Sequence, residues 1–129
     1  MSLILVVDDE FTITEMTSLV LESEGYCVCT ASNGREALVR LREQRPDLVL
    51  ADLMMPFVDG MELCVAMHED PTLRAVPFVF VTATPSHIRE DACAFAAVLH
   101  KPVLVPVLLE TIHRLIGKPR YVERREEQE

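Results

Sequence analysis

Five short apolar runs, each separated from the next by a stretch long enough for a helix, constrain this 129-residue chain more than any other feature. They are Leu3–Val7, Tyr26–Thr30, Leu48–Ala51, Phe78–Val81 and Val98–Leu99. Four are continuously apolar, as strands covered on both faces must be. The run Tyr26–Thr30 instead alternates Cys27 and Cys29 with Val28 and Thr30, which suits an edge strand. Between the runs the period changes to that of a helix. Ile13, Met16, Val20 and Leu21 share one face, with Gly25 as a C-cap. Asn33 with Glu36 forms a capping-box-like start to a second helix, whose inward stripe is Ala37, Leu38 and Leu41. Asp59 with Glu62 repeats the device before Leu63, Ala66 and Met67, and Asp70-Pro71 ends that helix. Thr84-Pro85 can open a fourth. A fifth carries Leu108, Ile112, Leu115 and Ile116 and stops at Gly117. The alternation predicts a (βα)₅ α/β fold, a doubly wound five-stranded parallel sheet with helices on both faces.

Half the residues are apolar and 26% are charged, the composition of one folded domain. Residues 1–117 read as that domain. Residues 118–129 read as a solvated charged tail, a helix extension or a linker stub. No apolar run is long enough to span a membrane, and the first residues lack the pattern of a secretion signal. A formal charge of −9 argues against direct nucleic-acid binding, which needs a basic surface. The cysteines Cys27, Cys29, Cys64 and Cys93 show no metal-like spacing. They are expected as small buried thiols of a reducing cytoplasm. Met54, Met55, Met61 and Met67 are expected to pack the core, and His68, His87, His100 and His113 share no ligand spacing.

In an open parallel sheet, ligands bind beyond the carboxyl ends of the strands. The first run ends in Asp8-Asp9, the third in Asp52, the fourth in Thr82, and the fifth in Lys101-Pro102. Taken singly, each has a plainer reading: an aspartate there often caps the next helix, and a proline forces a turn. Together they converge on one edge. Two unit charges about 4 Å apart repel by about 4 kcal/mol at an effective dielectric of about 20, so three clustered carboxylates must bind protons or a cation. Carboxylates, a carbonyl and water are hard ligands that favour Mg²⁺ or Mn²⁺ over zinc. Asp52 could then attack phosphorus, with Lys101 and Thr82 sharing the charge of the transferred group.

At this point the residues resemble a known family. Val6-Val7-Asp8-Asp9-Glu10, Asp52-Leu53-Met54-Met55-Pro56 with Asp59-Gly60, Thr82-Ala83 and Lys101-Pro102 resemble, in order, the marks of the receiver domain of bacterial response regulators. The resemblance runs from Leu3 to about Gly117. It implies the flavodoxin-like, CheY-like strand order 2-1-3-4-5 and a cytoplasmic two-component switch. In that switch a histidine kinase or histidine phosphotransfer protein gives its phosphoryl group to Asp52. Asp9 would bind Mg²⁺ directly, Asp8 mainly through water, and Asp52 and the Met54 backbone carbonyl would complete the protein ligands. Thr82 would grip the phosphoryl group and Lys101 would bridge carboxylate and phosphate. Met54 and Thr84 would tune a slow loss of the phosphoryl group. Such a domain is a signalling phosphoacceptor, not an enzyme with turnover. A phosphohydrolase would commonly carry a second acid where this chain has Met54. A phosphorylation-linked dimer of this chain is a further partner the resemblance implies.

Three features depart from the family pattern. Val98 stands where a tyrosine or phenylalanine is usual, Ala94-Phe95 replaces Gly-Ala, and Thr82 to Lys101 is short by about one helical turn. The output face is therefore expected to be altered while the acidic set is complete. The alternatives are a docking module insensitive to phosphorylation, or a receiver excised from a larger regulator or hybrid kinase. With no DNA-binding motif after Gly117, output is expected through a partner protein.

Overall fold

A computed structural model describes residues 2–119 of the chain. The expected tail at 118–129 thus falls, from residue 120 onward, outside the described residues. Strands β1 (Leu3–Val7), β2 (Cys27–Ala31), β3 (Leu48–Ala51), β4 (Phe78–Thr82) and β5 (Ala97–His100) form one parallel sheet in the order β2-β1-β3-β4-β5. This is the expected topology, and β2, the alternating run, lies at an edge. Helices α1 (Phe11–Ser23) and α4 (Val105–Ile116) cover one face, and α2 (Gly34–Glu43) and α3 (Gly60–Glu69) the other. No helix among the described residues is long and apolar enough to cross a membrane.

The sheet divides the core by side-chain parity. Ile4, Val6, Leu48, Leu50 and Val79 point to one apolar cluster, joined by Leu21, Leu108 and Ile112. Leu5, Val7, Val49, Ala51, Phe78 and Phe80 point to the other, joined by Ala37, Leu41, Leu63 and Met67. Alternation of successive residues across a strand produces this division, and burial on both sides explains why these strands are apolar until the terminal Thr82 of β4.

Local signals set the ends of the helices. The Asn33 side chain accepts from the Glu36 amide at 2.8 Å, but the Glu36 carboxylate turns to the Ser32 amide, so this capping box is half formed. At α3 the box is complete: Glu62 N–H donates to Asp59 at 2.9 Å and Asp59 N–H to Glu62 at 3.0 Å. Gly25 and Gly117 both take positive φ where α1 and α4 stop. The Tyr26 hydroxyl donates to the Gly117 carbonyl at 2.9 Å, joining the start of β2 to the end of α4.

Several expectations need correction. No fourth α-helix forms after β4; Pro85–His87 is a single 3₁₀ turn, and β5 follows after irregular chain. Thr84, whose hydroxyl bonds Thr82, gives that turn no side-chain cap, and four α-helices stand where five were expected. In helix α1 one residue of the expected inward face, Met16, departs from it while Leu21 is buried as expected. Met16 is 65% exposed, whereas Thr14 is buried beside Leu21. Threonine can point inward because its hydroxyl donates to the carbonyls of Glu10 and Asp8, so no polar group is left unpaired. Met54 is exposed rather than in the core. Cys27 and Cys29 are half-buried, and Cys64 and Cys93 are joined as a disulfide rather than held as separate thiols.

Gly60 is fixed by a close approach. Its N–H donates to the Leu53 carbonyl at 2.8 Å, and a Cβ there would collide with the Asp52 carbonyl oxygen. Gly60→Ala is expected to destabilise the fold by about 1–3 kcal/mol through overpacking, read as a lower urea midpoint at constant m-value. Burial, and then the nearby Glu24 charge, raise the Tyr26 phenol to about 12. The unfolded phenol ionises near pH 10, so this contribution to stability is complete below about pH 10 and is lost as pH rises towards 12. In a Tyr121→Phe background, absorbance titration should show the remaining phenol ionising near 12; a midpoint near 10 would contradict the packing described.

Candidate phosphoacceptor site

Strand register builds the site from consecutive positions. Val7 pairs with Ala51, so the next residues, Asp8 and Asp52, emerge side by side, and the Asp52 amide donates to the Val7 carbonyl at 2.9 Å. Thr82 ends β4 opposite His100, and the amide of the next residue, Lys101, donates to the Thr82 carbonyl at 2.9 Å. Pairing between neighbouring strands thus places four of the expected residues at one sheet edge before any side-chain contact is made.

The side chains then converge. Lys101 Nζ donates to Asp8 Oδ2 at 2.8 Å and to Asp52 Oδ2 at 3.1 Å. Carboxylate oxygens of Asp8, Asp9 and Asp52 lie within 4.8 Å of one another. Asp8 and Asp52 are buried, 4% and 9% exposed, while Asp9 is open to solvent. Partial burial alone would lower the Lys101 pKa, but the hydrogen bonds and charges of Asp8 and Asp52 outweigh it and raise the pKa. The ammonium therefore stays charged at neutral pH. One cation against three carboxylates leaves the cluster net negative, and an exposed acid at its rim gives a cation access from solvent. The donor set is all hard oxygen, which fits a small divalent ion such as Mg²⁺ or Mn²⁺ and not a thiophilic one.

Thr82 reaches the same edge but is not bonded to the acids. Its buried hydroxyl accepts from the Thr84 amide at 3.0 Å and shares a hydrogen bond with the Thr84 hydroxyl at 3.2 Å. Met54 follows Asp52 with its side chain exposed, on the loop that leads to α3. In the same loop Phe57 holds φ 68°, unusual for a residue with a side chain, with the Arg35 guanidinium 4.3 Å above its ring. The peptide bond between Lys101 and Pro102 is cis.

Sequence reasoning missed two supporting contacts. The Glu10 amide donates to Asp8 Oδ1 at 2.9 Å and orients that carboxylate, while the Thr14 hydroxyl holds the Asp8 carbonyl. A backbone donor leaves no trace in residue identity, and Thr14 is masked by the apolar residues around it. A groove of about 530 Å³ lies on the face of α1 and α4 and reaches Asp8, Asp52 and Lys101. Met16 and Val105 line it, and Phe11 and Leu104 are exposed on the same two segments.

Comparison with known proteins agrees with this geometry. The polar-differentiation response regulator DivK of Brucella anthropi is 36% identical over 121 residues, covering 90% of this chain and 96% of DivK. The chemotaxis protein CheY4 of Vibrio cholerae superposes with a TM-score of 0.84 at 32% identity, over 90% of this chain and 99% of CheY4. The response regulator TrrA of Thermotoga maritima, solved in complex with Mg²⁺-BeF, gives a TM-score of 0.79 at 31% identity, over 90% of this chain and all of TrrA. Residues 4–113 match the family described as the response regulator receiver domain. With its strands in the receiver order and nearly its whole described length matched, the chain belongs to the response regulator receiver domain family of two-component signalling.

Proposed function

We propose that this receiver accepts a phosphoryl group on Asp52 from a phosphohistidine of a histidine kinase or histidine phosphotransfer protein, in the cytoplasm, with Mg²⁺ or Mn²⁺ as cofactor. The observation that carries the reading is the shared ammonium: Lys101 bonds one oxygen each of Asp8 and Asp52, with the Asp9 carboxylate beside them. The metal would be held by Asp8, Asp9, Asp52 and the Met54 carbonyl. When bound it supplies positive charge to the oxygens of the transferred group.

Lys101 occupies Asp52 Oδ2, which leaves Oδ1 to attack phosphorus. The oxygen–phosphorus bond forms as the phosphorus–nitrogen bond breaks, and the donor imidazole leaves with its electron pair and retains or takes up a proton. Lys101 then lies where a phosphoryl oxygen would arrive, so its ammonium can move from carboxylate to phosphate without crossing the site. The Thr82 hydroxyl can donate its one proton to the same group while its oxygen still accepts from the Thr84 amide, provided that proton is not given to the Thr84 hydroxyl. The exposed apolar residues Phe11, Met16 and Leu104 flank the acceptor and offer a surface for the donor. Hydrolysis of the aspartyl phosphate is slow self-deactivation rather than turnover on an external substrate.

The reading as a docking module rests on the other flank. Val98 is half-buried and packs with Phe95 against the core, and the Phe95 ring meets Phe80 edge to face at 5.4 Å. A valine there has no ring to swing between buried and exposed positions. Together with the single 3₁₀ turn, this favours a receiver that retains the acceptor chemistry and reports it on an altered face.

Acetyl phosphate with Mg²⁺ should add ~80 Da to the intact protein, and Asp52→Asn should abolish the adduct; a wild-type chain with no adduct would leave only the docking reading. Lys101→Ala should slow phosphorylation by about 10²-fold while Mg²⁺ still binds, whereas Asp9→Asn should weaken Mg²⁺ binding first. On phosphorylation, amide shifts should be large around residues 52–60 and 82–84 and small across 85–98. A full-size response over 85–98 would refute the altered output face.

A further inference from the structure

Residues 83–96 connect β4 to β5 with one 3₁₀ turn as their only regular element. A receiver-sized sheet with no helix here needs some other means of fastening this segment. Ile88, Ala92 and Phe95 pack against the core, but its backbone makes few hydrogen bonds, among them Ala92 N–H to the Arg89 carbonyl at 3.2 Å and Ala96 N–H to the Phe78 carbonyl at 2.8 Å. Cys93 lies between them, buried, and is joined to the buried Cys64 of α3. Their Cα atoms are 6.3 Å apart, a span that a disulfide bridges without moving the backbone.

The reduced state is equally well served. The Ala94 carbonyl lies 3.6 Å from Cys64 Sγ and 3.5 Å from Cys93 Sγ, so two thiols would find an acceptor that a disulfide does not need. One backbone arrangement thus suits both oxidation states. Cys27 and Cys29 stand apart on β2 as half-buried free thiols.

We propose that Cys64 and Cys93 are a reversible redox-modification site, oxidised by a low-molecular-weight disulfide, whose closure fastens residues 88–96 to α3. Cys93, on the irregular segment, is exposed first by local opening. Its thiolate attacks the small disulfide, forming a mixed disulfide and expelling one small thiolate. The Cys64 thiolate then attacks the Cys93 sulfur, closes the protein disulfide and expels the second. Two protein thiols are oxidised, one small disulfide is reduced to two small thiols, and the protons pass to those leaving thiolates. In a reducing compartment such a bond is transient, which suits a sensor rather than a permanent brace. The site stands independently of phosphoryl transfer.

The test uses the whole chain, treated with dithiothreitol or with excess oxidised glutathione. Iodoacetamide labelling after denaturation should count four thiols in the first sample and two in the second, with peptide mapping assigning the loss to Cys64 and Cys93. Oxidation should slow hydrogen exchange across 88–96 by at least about tenfold and raise Tm by about 10 °C. The double variant Cys27→Ser/Cys29→Ser should respond as the wild type does. Cys64→Ser and Cys93→Ser should not respond, and the reduced wild type shows the fold without the bond should either variant be unstable. Four thiols surviving oxidation, cross-links to Cys27 or Cys29, dimers through either cysteine, or a closed disulfide with unchanged exchange across 88–96 would each overturn the proposal.

Discussion

The arrangement depends on a conflict of charge that the fold creates and only partly resolves. Parallel pairing of β1 with β3 sets Asp8 beside Asp52, Asp9 adjoins them, and burial removes the water that would screen two of the three. Lys101 answers from the far side of the sheet, its ammonium reaching past the end of β4 to touch both buried acids. A pair of desolvated carboxylates with no counter-charge would cost several kcal/mol. The lysine therefore has a structural task before it has a chemical one. It leaves a negative remainder at the rim, where Asp9 is open to solvent and a hard cation can enter.

The rest of the molecule keeps that edge in place and leaves it accessible. The core is divided between two helical layers, so the strands are locked from both sides and their ends form a firm platform. Loops above the platform carry the adjustable parts. Thr82 is tethered to Thr84, Asp8 is oriented by a backbone amide, and the chain after Asp52 is pressed close enough to α3 that only glycine fits at position 60. The groove beside α1 and α4 opens onto Asp52, while the opposite flank is closed by irregular chain and a disulfide.

Much of this was legible in the sequence because it follows from one-dimensional rules. The apolar runs marked the strands to within about a residue, and the polar positions just beyond the first, third and fifth of them, Asp8, Asp52 and Lys101, lie at the sheet edge. What escaped were properties that depend on three dimensions. On α1 the expected face holds for Leu21 but not for Met16, which lies at the surface, while Thr14 is buried because its hydroxyl finds a carbonyl. The fourth helix had a proline start at Pro85, but only one uncapped 3₁₀ turn follows it. The meeting of Cys64 with Cys93 joins residues 29 apart in sequence, and no local pattern records it. Nor could spacing reveal which two of the three acids would share the lysine.

The bond between the Tyr26 hydroxyl and the Gly117 carbonyl lies at the amino ends of the strands, the opposite pole from Asp52. Any disturbance that begins among the acids must cross a strand of about five residues, some 16 Å of rigid sheet, before it reaches the place where the backbone leaves α4. A sheet clamped between two layers transmits little bending over that distance. A disturbance at Asp52 should spread outward through the crown of loops around it and leave the base of the sheet in place.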